Sequence, residues 1–196
     1  MEHSNINPIE KNLKMDITRS KDQTKNWRKE QPWYNGGKSN ECEIYQRNTL
    51  SSIVGKEIEK TNHRFNKETN TFEHMPHPNK KRNGFEYTED MDGIFVSEED
   101  ITNYVNFKMV CGSGGSQTRT LHEVYHFITA QLNWLLENKE KAIEFINILD
   151  GNESWRIRDK FDFLKEKEKY KSIKDKVFIG DLYEFREIYD ISHVSI

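Results

Sequence analysis

The residues with the strongest chemical potential lie in the middle of the chain. The run Phe85-Glu86-Tyr87-Thr88-Glu89-Asp90-Met91-Asp92-Gly93-Ile94-Phe95-Val96 alternates apolar with polar and is rich in aromatic residues, the pattern of a half-buried strand. Side chains alternate along a strand, so Asp90 and Asp92 share one face there. A second such run, Asn103-Tyr104-Val105-Asn106-Phe107-Lys108-Met109-Val110-Cys111, puts Asn106 and Lys108 on one face. With the polar turn Ser97 to Thr102 between them, the two runs predict an antiparallel hairpin on which an acid and a lysine converge. A rival motif follows at once. His122-Glu123-Val124-Tyr125-His126 is a literal H-E-x-x-H, which places two imidazoles one helical turn apart, with a glutamate able to act as general base on zinc-bound water.

The elements that must position these groups can be read from periodicity. Residues 1–40 are polar, carry Trp27, Trp33, Tyr34 and Gly36-Gly37, and show no sustained period, so they read as an N-terminal arm, loosely ordered, preceding a domain over 41–196. Ile44, Leu50, Ile53, Val54 and Ile58 predict an amphipathic helix over 41–60. A polar bridge, 61–83, ends in the basic cluster Lys80-Lys81-Arg82, read as a solvated turn or a phosphate contact. After the hairpin, Gly112-Ser113-Gly114-Gly115-Ser116 breaks the chain, and Leu121, Val124, Tyr125, Ile128, Leu132 and Leu135 predict a strong helix from about Thr118. The short apolar run Ile143 to Leu149, closed by Asp150-Gly151, predicts a buried strand parallel to its partner across that helix. A charged helix over 159–174 and a strand or helix at Val177-Phe178-Ile179 complete an α/β chain.

This order of helix, antiparallel hairpin, helix and parallel strand, with Asp92-Gly93 on one strand and Asn106-Phe107-Lys108 on the next, resembles the PD-(D/E)XK nuclease superfamily, in particular type II restriction endonucleases. The resemblance covers about residues 41–151. It implies a restriction-endonuclease-like core and Mg²⁺-dependent, sequence-specific hydrolysis of phosphodiester bonds in double-stranded DNA. Two-fold symmetric sites would then imply a homodimer. In that reading Asp92 is the main Mg²⁺ ligand, Lys108 directs the attacking water, and Asp90 is a second ligand or a solvated neighbour. Carboxylates hold a cation that polarises the phosphate and lowers the pKa of water.

The chain departs from the family at Asn106, where an acid is usual; an amide oxygen can ligate a metal but brings no charge. One branch of the family moves that carboxylate to the following helix, and Glu123 lies close to the corresponding offset from Lys108. A further acid from the first helix is usual, with Glu57 or Glu43 as candidates for the metal set. The glycine loop would lie beside DNA, with Ser116, Gln117, Thr118 and Arg119 available to phosphates or base edges. It lacks the Gly-Lys-Ser/Thr ending of a nucleotide-binding loop.

Two other functions stay open on the residues. A zinc metalloprotease would use His122 and His126, with Glu144 as the only well-placed third ligand. A non-catalytic DNA-binding protein would bind duplex with strong salt dependence and never cut it. Composition narrows the field less than the motifs do. The balance of 30 basic and 33 acidic residues excludes a bulk cationic coat but not a local basic groove. Cys42 and Cys111 are the two cysteines, in no metal-like spacing, which points to a reducing, intracellular (cytoplasmic) setting. No long apolar run or signal-peptide layout is expected to take the chain into or across a membrane, and no small organic cofactor is implied.

Overall fold

A computed structural model describes residue 20 and residues 24–37, 40–75, 85–112 and 114–194, side chains being described to residue 190. The elements are α1 (Thr24–Lys29), α2 (Glu41–Val54), β1 (His63–Asn66), β2 (Thr71–His74), β3 (Gly93–Val96), β4 (Thr102–Met109), α3 (Gly115–Glu137), β5 (Ile143–Asp150), α4 (Asn152–Arg156), α5 (Arg158–Lys165), β6 (Val177–Gly180) and α6 (Leu182–Val194). The protein is thus a mixed α/β chain with six α-helices among the described residues. Among those residues no helix is long and apolar enough to cross a membrane.

The main sheet runs β3-β4-β5-β6, antiparallel at β3–β4 and parallel thereafter. The parallel pairs need long crossovers, which α3 supplies between β4 and β5. Both faces of the sheet are covered, and its central strands alternate between two apolar cores. On one face Tyr104, Phe145 and Leu149 pack with Val124, Ile128, Leu132 and Trp134 of α3 and with Phe161 and Leu164 of α5. On the other, Val105, Phe107, Ile146 and Ile148 pack with Tyr45, Leu50 and Val54 of α2 and with Leu182 and Phe185 of α6.

Several expectations shift in detail. The first helix stops at Val54, where Gly55 takes a left-handed conformation (φ 67°) and returns its N–H to Ser51 O. Ile44, expected on its buried face, is 54% exposed, and Tyr45, Gln46 and Thr49 are buried instead. The polar bridge is not all loop: β1 and β2 form a separate antiparallel hairpin with Phe65 paired to Phe72. That hairpin also explains why the expected strand over 85–96 shortens to Gly93–Val96. Residues 86–91 bond to β1 and the residue after it instead, through Lys67 N–H to Glu86 O, Thr88 N–H to Phe65 O and Met91 N–H to His63 O. The charged tail helix ends at Lys165 and gives way to two 3-10 turns, Glu168–Tyr170 and Lys174–Lys176; Val177–Gly180 is a strand. Part of the arm is ordered, for Trp33 stacks on Tyr45 with ring centroids 4.6 Å apart. The Lys80-Lys81-Arg82 cluster lies outside the described residues.

Candidate active site

Asp92 sits one residue before β3, beside the C-terminal half of β4. Its backbone N–H donates to Val105 O at 2.8 Å, and its carboxylate Oδ2 accepts the Phe107 N–H at 2.7 Å. The carboxylate therefore completes the ladder that β3 would otherwise make. Gly93 allows this path, since a Cβ there would come within 2.5 Å of Ile58 Cγ2. That is the physical reason a glycine follows the aspartate.

Lys108 lies on β4, on the α3 face, and its Nζ bonds Glu89 Oε2 at 2.9 Å. From the opposite face α2 contributes Glu43 and Arg47. Arg47 bonds Glu43 at 2.7 Å and caps the carbonyls of Asp92 at 2.6 Å and Ile58 at 3.1 Å. Arg47 also lies over the Phe107 ring. The structure thus groups Asp92, Lys108, Glu89, Glu43 and Arg47 at the end of the β3–β4 hairpin.

Their electrostatics are coupled. Burial raises the Asp92 carboxyl to about 6, against the opposing pull of Lys108 and the Phe107 N–H, while Glu43 and Glu89 push it further upward. For Lys108 burial disfavours the ammonium, but Asp92, Glu89 and Glu43 together outweigh it and hold the group above its ordinary value. Lys108 is accordingly a fixed cation at neutral pH, a donor and not a base.

The other sequence candidates fall elsewhere. Asn106 is fully buried under α3, where its Nδ2 donates to Asn147 Oδ1 at 3.3 Å. Asn147 in turn exchanges two hydrogen bonds with Gln131 of α3, at 2.8 and 2.9 Å. Asp90 pairs with the buried Arg64 at 2.6 Å and keeps a partly exposed side chain. Glu57 is exposed on the segment after α2 and is not among the groups acting on Asp92 or Lys108, whereas Glu43 acts on both.

Glu123 is exposed on α3 and bonds Arg119 at 3.0 Å. It lines, together with Glu89, a cleft of about 650 Å³. Ser116, Thr118 and Arg119 face outward at the start of α3, but Gln117 folds back over Gly112, whose Cβ position lies 2.8 Å from Gln117 Oε1.

The H-E-x-x-H imidazoles stand exposed with ring centroids 4.5 Å apart. Glu144, the proposed third ligand, is on β5 opposite Asn103 and interacts with Lys176. Among the described residues no three His, Cys, Asp or Glu side chains are gathered as a ready-made metal site.

Three participants escaped the sequence reading. Glu89 lies in the expected strand over 85–96, where alternation alone gives it no role beside Lys108. Arg47 carries no motif. Gln46 could have been found, for it interrupts the i, i+4, i+8 stripe with Leu50 and Val54. Its single buried amide donates to Lys108 O at 3.1 Å and to Asp150 Oδ2 at 2.7 Å, tying the ends of β4 and β5. Burial, reinforced by Asp181, raises Asp150 to about 7. Comparison of the chain with protein-family models, with curated proteins and with solved structures finds no match.

Proposed function

We propose that the protein is a Mg²⁺-dependent endonuclease of double-stranded DNA with a restriction-endonuclease-like core, acting as a homodimer at specific sequences. The observation that carries this reading is the Asp92 carboxylate held by the Phe107 N–H at 2.7 Å, one residue from Lys108, with Arg47 joining Glu43 of the first helix of the domain to the Asp92 carbonyl. The donor chemistry fits a hard cation: the groups are oxygen donors, and Glu43 and Glu89 destabilise the Asp92 carboxylate in a way that a bound cation would relieve. Asp92 and Glu43 would hold Mg²⁺, with Glu89 or Glu123 adding a ligand from the cleft side. Asn106 is turned into the core and is left out of the set.

Bound there, Mg²⁺ would supply charge stabilisation to the phosphate and a more acidic water. The chain's own residues do the rest. Lys108, held charged, donates to a phosphate oxygen or to the attacking water and so fixes its line of approach. Arg47 holds the Asp92 carbonyl and keeps the carboxylate beside β4. Ser116, Thr118 and Arg119 open a 23-residue helix whose first turn carries no acid, a suitable rest for the phosphates of the strand.

The test is incubation of the purified chain with varied duplex DNA and Mg²⁺, with EDTA as control and with Asp92→Asn and Lys108→Ala alongside. Discrete fragments formed by the parent chain and by neither variant are expected. Salt-dependent binding with no cleavage would instead make it a DNA-binding protein without catalysis. Stoichiometric zinc lost on joint replacement of His122 and His126 would move the assignment to a metalloprotease.

A further inference from the structure

We infer that the 650 Å³ cleft beside the candidate site binds an unpaired nucleotide of the DNA strand, so that the preferred substrate has a single-stranded stretch next to the duplex. This deepens the nuclease reading and rests on it only for the chemistry at Asp92. The cleft lies between the β1–β2 turn, the segment 85–89 and the middle of α3. Its volume falls within the roughly 300–1,000 Å³ typical of sites that enclose a small molecule.

Three features of the lining argue for a nucleotide. Phe85 is 95% exposed yet lies in the wall, a flat apolar ring with its surface open among the described residues. A base can stack on such a ring, and stacking tolerates any base. Lys67 offers a cation to the phosphate, while Arg119 is engaged by Glu123. Asn70 and Asn133 line the same wall; Asn70 Nδ2 donates to the Asn133 carbonyl at 3.4 Å and Asn133 Oδ1 accepts the Tyr170 hydroxyl at 2.7 Å, so what the pair offers a base edge is chiefly amide N–H.

The acids in the wall do not oppose an anion unaided, since Glu89 is paired with Lys108 and Glu123 with Arg119. Because Glu89 belongs to both the cleft and the Lys108 group, a nucleotide held here lies next to the scissile position. A paired duplex cannot use the cleft in this way, since its bases are already stacked on one another and offer no free face to Phe85.

The experiment measures the affinity of the full chain, in EDTA so that nothing is cut, for a labelled duplex bearing a short single-stranded overhang and for the same duplex made blunt. The overhang is expected to bind roughly tenfold more tightly, the factor given by about 1.4 kcal/mol of stacking and phosphate contact. Phe85→Ala should bring the ratio of the two affinities close to one, and Lys67→Ala should reduce it. Both side chains are exposed, and circular dichroism checks that the variants are folded. Equal affinities for the two DNAs, or a ratio that survives Phe85→Ala, would overturn the inference. Failure of the nuclease reading is seen separately, as lack of Mg²⁺-dependent cleavage of any DNA, and leaves this binding ratio measurable.

Discussion

The backbone N–H of Phe107 donates to the Asp92 carboxylate at 2.7 Å, so the acid is gripped by the same strand that carries Lys108. Strand alternation turns the Phe107 ring to the α2 face, where it packs with Val105 and Ile146, while Lys108 turns to the α3 face. One short stretch of β4 therefore anchors the core, fixes the acid and presents the cation.

The raised Asp92 carboxyl makes a prediction about pH. Because its folded value, about 6, lies above the unfolded one, its contribution to stability is fully present below pH 4 and is lost as pH rises through 6. Asp92→Asn keeps an oxygen for the Phe107 N–H and removes the charge. Without metal it should be more stable than the parent at pH 8, by on the order of 1 kcal/mol after allowing for partial solvation, and no more stable at pH 4. Urea denaturation at the two pH values measures the difference. Added Mg²⁺ should raise the Tm of the parent at pH 8 and leave that of the variant unmoved, if the cation binds where proposed.

Glu43 and Glu57 can be separated by activity. Glu43→Gln should lower Mg²⁺-dependent cleavage at least about tenfold and raise the Mg²⁺ concentration needed for half-maximal rate, since a charged ligand is lost. Cleavage assays across a Mg²⁺ titration decide it. An equal loss in Glu57→Gln with none in Glu43→Gln would return the first-helix ligand to residue 57.

Placing an acid at position 106, as the proposed nuclease reading would suggest, should harm this protein. Asn106 is fully buried against Asn147, so Asn106→Asp would set a carboxylate against the acceptor Oδ1 of Asn147, whose Nδ2 is already engaged by Gln131 and the Phe178 carbonyl. A loss of about 3 kcal/mol or more is expected at pH 8, shrinking at low pH as the carboxyl protonates. Chemical denaturation measures it, and a variant as stable as the parent would show that residue 106 reaches solvent or a cation.

Gly151 follows β5 with φ 105°, and a Cβ there would lie 2.2 Å from Val110 O. Gly151→Ala should cost at least about 2 kcal/mol, since left-handed strain and a backbone collision add. Val110 N–H bonds Asp150 O and Val110 O accepts the Glu153 N–H, so the displacement would reach the β4–β5 junction. A fall in Tm of several degrees checks the expectation.

The sequence pattern carried the order of elements well where a period was long or a turn was clear. The α3 helix, the β4 strand and the parallel β5 lie close to their expected bounds, because each buries a continuous stripe or run. The β1–β2 hairpin was hidden, since His63, Arg64, Thr71 and Glu73 mask the paired Phe65 and Phe72 in strands of four residues. With that hairpin unseen, residues 86–91 read as part of β3, whereas they bond to the β1 segment. At the site, alternation brought Asp92 and Lys108 to neighbouring positions. It also put Asn106 on the Lys108 face, but the depth of that face was not readable: Lys108 emerges at the sheet's end, and Asn106 lies two residues inward beneath α3.

The spacing of contacts along the chain orders how the site forms. Asp92 meets β4 across 15 residues, through a hairpin whose strands are joined by a short turn. Gln46 meets Asp150 across 104 residues, and β5 finds β4 only after the whole of α3 has been laid down between them. Loop closure favours the nearer pair, so the hairpin and its acid–lysine arrangement should assemble before the parallel half of the sheet docks. In pulsed hydrogen exchange during refolding, the Phe107 amide is then expected to gain protection ahead of the amides of β5 and β6. Substitutions confined to the parallel half would slow completion of the fold without delaying that first protection.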